Sequence, residues 1–183
     1  MPLRRKKTFG VHREAGKLGP YDERPMLPDN IQTQVFLSRN DRPQPFYLVC
    51  EKDTLLAVFS GTGRVHLQEV NVLYYDLEPA DHVYVPAGTP TRIVPTTELV
   101  VMRYKARDAG LEAVAWYCEG CRTQLFRHLF DTATTYPQEG YLAGCRAFND
   151  DEARRRCHSC DAVQPLVDLA PWRWEELAAE LRS

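Results

Sequence analysis

Short runs rich in β-branched and aromatic residues follow one another between residues 31 and 104. Clusters of turn-forming residues separate these runs, for example at 40–43 and 60–63, and no helical period intervenes. Closely spaced short strands without helices between them are typical of an all-β sandwich or barrel. The pattern predicts strands at Ile31–Leu37, Pro45–Cys50, Thr54–Phe59, Arg64–Val70, Val72–Leu77, His82–Val85, Thr91–Val94 and Glu98–Tyr104.

The series of closely spaced short strands ends after Asp108, and helical patterns appear in the rest of the chain. Acidic residues begin and arginines end the stretch Asn149–Arg156, which suits the helix dipole and predicts a short helix. A second helix is predicted at Pro171–Leu181, with an apolar stripe that packs on the barrel or, alternatively, forms a homodimer interface. Basic residues, prolines and a lack of periodicity indicate an N-terminal arm that leads into an edge segment. The predicted organisation is an arm at 1–30, a barrel at 31–108 and a smaller unit with the terminal helix at 109–183.

Composition narrows the class of protein. The chain has 183 residues and a formal net charge of -2, which argues against a nucleic-acid-binding protein that depends on a basic surface. The basic run Arg4–Lys7 is interpreted as part of a solvated arm. No stretch reaches the roughly 18 apolar residues of a membrane helix, so we expect no membrane partner and a cytoplasmic location. Clustered cysteines in that reducing compartment indicate a metal site rather than disulfides.

Four of the six cysteines form two C-x-x-C pairs separated by 35 residues. Each pair brings two sulfurs onto one metal ion, so the two pairs together predict a tetrahedral thiolate site. Zinc and rubredoxin-like iron both suit four thiolates, and a site with all four positions filled is expected to be structural. The predicted metal ligands are Cys118, Cys121, Cys157 and Cys160.

The remaining cysteines and two nearby histidines leave alternatives. Cys50 and Cys145 are expected to be buried small apolar side chains. His128 and His158 lie near the cysteine pairs in sequence, and either one is an alternative ligand in place of a cysteine.

The run from Asp81 to Thr91 resembles the second cupin motif, in which an acidic residue precedes a strand, a proline ends it and a histidine follows a turn. Together with Trp116-Tyr117-Cys118-x-x-Cys121 and the closing Cys157-x-x-Cys160, the pattern is similar to bacterial 3-hydroxyanthranilate 3,4-dioxygenases over roughly residues 31 to 165. This resemblance implies a double-stranded β-helix barrel followed by a small rubredoxin-like or zinc-ribbon-like module with four cysteine ligands and the terminal helix. In that family the barrel holds Fe(II) through two His and one Glu and opens an aminophenol ring with O₂. A second, thiolate-bound iron lies in the C-terminal module.

The sequence departs from the family at the barrel metal. An ungapped alignment places Leu48 at the first histidine, Asp53 at the glutamate and Thr91 at the last histidine. A lone carboxylate with a hydroxyl is a poor Fe(II) site, so barrel iron is predicted to be absent. Gln44 falls near a carboxylate-binding arginine of the family, and Arg103 falls near an acidic residue.

Strand alternation predicts that Phe46, Leu48 and Cys50 share the inner face of the barrel. A largely apolar interior with a few polar groups suits a small aromatic amino or hydroxy acid, because arginine binds a carboxylate and aspartate accepts from an amine or hydroxyl. The alternative is that Asp53 and Arg103 pair with each other inside a filled barrel. The predicted catalytic residues are Asp53, Arg103 and Arg92, and the predicted substrate-binding residues are Gln44, Leu48, Asp53, Thr91 and Arg103.

Three hypotheses about function follow. In the first, the chain is a divergent relative of these dioxygenases that binds a small aromatic acid and catalyses a step other than ring cleavage, in specialised biosynthesis. In the second, it is a noncatalytic ligand-binding cupin. In the third, dioxygenase activity is kept through the shifted ligands His66, His82 and Asp53.

Overall fold

The computed structural model describes residues 11–26 and 32–182. Two antiparallel sheets share one apolar core, into which each contributes its inner face. The five-stranded sheet has the order β1 (Arg24–Pro25), β2 (Thr33–Asn40), β9 (Leu99–Ala106), β4 (Thr54–Ser60) and β7 (His82–Val85). The six-stranded sheet has the order β11 (Gln124–Asp131), β10 (Leu111–Tyr117), β3 (Tyr47–Cys50), β8 (Thr91–Pro95), β5 (Gly63–Leu67) and β6 (Tyr74–Leu77).

Every strand predicted from the hydrophobic pattern is present, with its ends shifted by a few residues. Predicted residue Ile31 lies outside the described residues, and β5 ends at Leu67 because Glu69 adopts a positive φ of 63° that interrupts the strand. Gly61 has φ +80° in the turn before β5, where an added Cβ would lie 1.9 Å from the carbonyl oxygen of Glu98. The prediction of an all-β fold followed by a cysteine cluster and a terminal helix is confirmed.

The second sheet continues beyond residue 108, where the sequence predicted the barrel to end. Strand β10 pairs with β3, so that Val114 lies opposite Leu48, and β11 pairs with the outer side of β10. Their alternating apolar residues complete the core, since Val114 and Trp116 point inward while Ala113 and Ala115 pack with Val49 on the other face. The barrel sheets therefore reach to Asp131.

The helices are α1 (Val11–Ala15), α2 (Pro137–Asp150), α3 (Glu152–Arg155) and α4 (Trp174–Arg182). The single helix predicted at Asn149–Arg156 is divided, because Asp151 leaves the helical conformation and caps α3 by accepting from the Ala153 amide at 2.9 Å. The sequence did not predict α2, which contains Gly140 and Gly144. Among the described residues, no helix is both long and apolar enough to cross a membrane.

The apolar stripe of α4 packs within the chain. Trp174 is fully buried, and its ring lies 5.8 Å from those of Phe46 and Tyr141. Leu177 and Ala178 are also buried, as expected for a stripe that packs on the barrel.

The N-terminal segment 19–26 packs against the barrel instead of forming a free arm. Its strand β1 forms the edge of the first sheet, while Tyr21 and Glu23 are 1% and 2% exposed. The Gln138 Nε2 of α2 donates to the carbonyl oxygens of Asp22 and Glu23 at 3.0 and 2.8 Å. The Trp174 Nε1 of α4 donates to Tyr21 O at 2.9 Å. This part of the predicted arm is thus integral to the fold, whereas the basic run at 4–7 lies outside the described residues.

Candidate functional site

The four predicted cysteine ligands come together. Their sulfur atoms all lie within 4.8 Å of one another, and the Cys118–Cys160 and Cys121–Cys157 sulfur pairs are each 3.4 Å apart. Four sulfurs around one ion in a tetrahedron with metal–sulfur bonds of about 2.3 Å are about 3.8 Å apart. The observed spacing therefore fits one tetrahedral metal ion.

Both cysteine pairs lie on turns of the same construction. The Arg122 amide donates to Cys118 O at 2.8 Å, and the Asp161 amide donates to Cys157 O at 2.8 Å. Arg122 and Asp161 have φ values of 63° and 60°, the left-handed conformation that usually favours glycine. Hydrogen bonds with Thr123 lower the pKa of Cys121 to about 6, which favours the thiolate that binds metal.

Neither histidine considered as an alternative ligand belongs to this cluster within the described part of the chain. Instead, the His128 side chain packs beside Gly144 of α2. Burial, and to a smaller extent Arg154, lowers the pKa of His128. Four thiolates are the donor set that zinc and iron share, so the cluster can hold either metal.

Inside the barrel, two of the residues aligned with the family's metal ligands are neighbours. Leu48 and Thr91 are direct cross-strand partners on β3 and β8, both are fully buried, and Thr91 Oγ1 donates to Leu48 O at 3.3 Å. Asp53 does not join them. It is exposed, and its Oδ1 accepts from the Ala87 amide at 2.8 Å. Thr54, the next residue, turns its hydroxyl inward, because consecutive residues point to opposite faces.

The fully buried Arg103 has a carboxylate partner other than Asp53, which was considered as the alternative to ligand binding. Its Nε lies 3.5 Å from Glu23 Oε1, on the N-terminal segment. Its Nη1 and Nη2 donate to the hydroxyls of Thr54 and Thr91 at 3.2 and 3.5 Å. The alternative pairing of Asp53 with Arg103 is not formed, because Asp53 lies on the outer surface.

A second buried cation continues this charge cluster. The Lys105 Nζ donates to both carboxylate oxygens of Glu112 at 3.0 and 3.1 Å and lies 3.8 Å from Glu23 Oε2. The side chains of all four charged residues are at most 2% exposed. Burial alone lowers the pKa of Lys105, but Glu112 and Glu23 outweigh it, and the pKa is raised. The largely apolar interior thus also contains two cations and two carboxylates.

Gln44 supports the same region structurally. Its Oε1 accepts from the Ile93 amide at 3.2 Å, and its Nε2 lies 3.5 Å from Thr91 O. Its carbonyl oxygen accepts from the Arg92 Nε at 2.8 Å. Gln44 therefore fixes strand β8 and the direction of the Arg92 side chain.

A cleft of about 320 Å³ lies between the mouth of the barrel and the segment 164–172. Arg92 lines it, with Nη1 3.9 Å from Glu119 Oε1. Within the described part of the chain, the buried Trp116 Nε1 has no hydrogen-bond partner. The aromatic residues of the cleft are Phe46, Tyr47, Trp116, Tyr117, Phe148 and Trp172.

The rings of the cleft wall form an ordered stack. Trp116 and Phe148 are parallel within 8° at a centroid distance of 4.4 Å. The opposite wall is held to α2 by two hydrogen bonds at 2.8 Å between Asn149 and the backbone of Val167. Sequence reasoning included Arg92 but missed this cleft. The signal available was the presence of Trp172 with Pro165 and Pro171 in one loop.

The histidines proposed as shifted iron ligands lie elsewhere. His82 is exposed, with Nδ1 2.9 Å from Ala80 O, while the ring of His66 packs 6.0 Å from that of Tyr74. Over the described ranges, these two histidines and Asp53 do not form a metal-binding group. The structure thus brings together the four cysteines but not this alternative triad.

The sequence matches no protein-family model and no curated protein sequence. Among solved structures, hydroquinone 1,2-dioxygenase from Sphingomonas sp. TTNP3 is similar with a TM-score of 0.47 and 14% identity, over 53% of this chain and 71% of that one. A cupin-2 domain protein from Shewanella frigidimarina has the same TM-score and identity, over 55% and 95% of the chains.

Salicylate 1,2-dioxygenase from Pseudoaminobacter salicylatoxidans is similar with a TM-score of 0.37 and 20% identity, over 43% of this chain and 20% of that one. Because all three TM-scores lie below 0.5, these likenesses support no statement about the activity of this chain.

Proposed function

We propose that this chain is a cupin that binds a small aromatic carboxylic acid in the cleft at the mouth of its barrel. The observation that carries the proposal is an aromatic-lined cleft that contains the partly exposed Arg92, whose Nη1 lies 3.9 Å from the exposed Glu119. An arginine guanidinium binds a carboxylate through charge-assisted hydrogen bonds. A few polar groups in an otherwise aromatic cavity are typical of small-molecule sites.

Each part of such a ligand has a counterpart in the cleft. Its ring packs against the aromatic walls, and its carboxylate pairs with the Nη groups of Arg92, whose Nε is already held by Gln44. The carboxylate replaces the weak 3.9 Å contact with Glu119, which is itself 73% exposed.

The proposal is the ligand-binding hypothesis rather than the catalytic one. Ionisable groups around the cleft already have partners, since Arg42 donates to Asp41 at 2.8 Å and Asp168 accepts from the Ala170 amide at 3.0 Å. Inside the barrel, Arg103 is paired with Glu23 instead of facing a ligand. A step other than ring cleavage would need a proton donor or acceptor that the ligand can reach.

We further propose that the cysteine cluster holds zinc in a structural role and that the protein is cytoplasmic, where thiols stay reduced. The two turns that contain the cysteine pairs contribute to opposite sides of the cleft. Glu119 lies between Cys118 and Cys121, and Gln164 follows the second pair. A filled metal site therefore fixes the distance between the cleft walls. Descent from 3-hydroxyanthranilate dioxygenases with loss of barrel iron accounts for the pairing of Leu48 with Thr91.

The test is calorimetric titration of the metal-loaded protein with salicylate and 4-hydroxybenzoate, and with 4-hydroxybenzyl alcohol as the ligand without a carboxylate. Losing a hydrogen bond to a charged group costs about 1.5–3 kcal/mol, so Arg92→Gln should weaken acid binding about 10-fold to 150-fold.

The matched control is Arg64→Gln, which removes an exposed arginine on the neighbouring strand β5. Binding by Arg64→Gln should equal that of the unchanged protein. If neither acid binds, or if Arg92→Gln and Arg64→Gln bind equally well, the proposed site is incorrect.

A further inference from the structure

Two cations and one hydroxyl surround a single carboxylate in the barrel interior. The Arg103 Nε lies 3.5 Å and the Lys105 Nζ 3.8 Å from the carboxylate oxygens of Glu23. The Tyr141 hydroxyl donates to the same carboxylate. These donors belong to β9 and α2, whereas Glu23 arrives on the separate N-terminal segment.

The segment that carries Glu23 is held in an unfavourable conformation. Tyr21 and Glu23 have φ values of 50° and 47°, in the left-handed region that side chains with a Cβ seldom adopt. Hydrogen bonds from Gln138 and Trp174 to the carbonyl oxygens of residues 21–23 keep it in place. Backbone strain of this kind persists only where surrounding contacts impose it.

Charge balance also requires an anion at this position. Glu112 is hydrogen-bonded to Lys105, so Glu23 is the carboxylate that remains for the buried Arg103. Without Glu23, the interior would hold two cations and one carboxylate. A buried net charge of this kind is strongly unfavourable.

From this we infer that the barrel interior is a binding site for a monocarboxylate and that Glu23 is its built-in occupant. The side chain of Glu23 stands where the carboxylate of a free ligand would be held by Arg103, Lys105 and Tyr141. Residues 19–26 thereby close the barrel to outside ligands. This inference is independent of the cleft and of what binds there.

The experiment removes the occupant and supplies a replacement. Glu23→Ala is expected to lower the thermal unfolding midpoint, and formate or acetate should raise it again in a saturable manner. Sodium chloride at the same ionic strength is the control for general salt effects. Glu98→Ala is the matched variant, because it removes an exposed glutamate that lies 3.7 Å from Arg39. Neither the unchanged protein nor Glu98→Ala should respond to formate beyond the chloride effect.

A second variant tests the role of charge. Glu23→Gln keeps the side-chain volume but removes the negative charge, so it should be destabilised and should not be rescued by formate, since the amide fills the site. If Glu23→Ala does not fold alone, its refolding yield should rise with formate and not with chloride. Equal effects of formate and chloride, no rescue in either assay, or a Glu23→Gln variant as stable as the unchanged protein would each overturn the inference.

Discussion

The ion pair between Lys105 and Glu112 allows a quantitative test of the buried charge cluster. Both side chains are at most 2% exposed, and Lys105 Nζ contacts both oxygens of Glu112 at 3.0 and 3.1 Å. Lys105→Met removes the cation but leaves the Glu112 carboxylate buried. Breaking a buried pair in this way costs about 3–5 kcal/mol. At about 2–4 °C per kcal/mol for a chain of this size, the unfolding midpoint should fall by roughly 6–20 °C.

The double variant Lys105→Met/Glu112→Leu separates the cost of an unpaired charge from the value of the pair. It removes one charge of each sign, and Glu23 and Arg103 remain as a balanced pair 3.5 Å apart. Replacing a buried ion pair by apolar side chains of similar volume is often nearly neutral. The double variant should therefore be more stable than Lys105→Met by several kcal/mol.

Urea unfolding of the four proteins in this double-mutant cycle measures the coupling directly. The pKa of Lys105 is raised from 10.5 by its carboxylates, so its contribution is complete below pH 10.5 and is lost as the pH rises through the higher folded-state pKa. The Lys105→Met variants should lack this alkaline loss. If the destabilisation of the double variant equals the sum of the two single effects, the charges are not coupled and the reasoning is refuted.

Two further predictions concern packing and the cysteine cluster. Gly144→Ala places a Cβ 2.3 Å from a methyl group of Val114 and should destabilise the fold by about 1–3 kcal/mol. Gly120→Ala is the control and should not destabilise the fold, because the nearest neighbouring atom would be 3.9 Å from its Cβ. Equal urea unfolding midpoints for the two variants would contradict this packing. Metal removal with a chelator should lower the unfolding midpoint and expose four reactive thiols. Cys50 and Cys145 should stay unreactive until the chain unfolds, because burial raises the pKa of both thiols, that of Cys50 to about 12. Reaction of all six thiols in the folded protein would contradict this prediction.

The strands and the cysteine cluster could be predicted because their signals are local. Alternating apolar residues mark each strand, and two C-x-x-C spacings mark two metal knuckles. Helix α2 was missed because Gly140 and Gly144 lower its helix propensity. In the structure, these two glycines let α2 approach Phe130 and Val114 closely. Tertiary packing outweighed that propensity.

The partner of Arg103 could not be predicted for a different reason. Asp53 was chosen because it lies at a motif position, yet the direction of its side chain depends on the start of β4. Glu23 lies in a segment with no periodicity, and long-range contacts of that segment with β2, β9, α2 and α4 bring it into the barrel. The cleft was missed for the same reason, since Trp116 and Trp172 meet only through the fold of the C-terminal part.

The hydrogen bonds that hold the N-terminal segment also constrain the order of events during synthesis. They join residues separated by 116 and 153 positions along the chain. The Trp174 hydrogen bond to residues 19–26 therefore cannot form until α4 has left the ribosome. Contacts between such distant parts of a chain slow folding, so α4 completes the enclosure of a segment that was made much earlier.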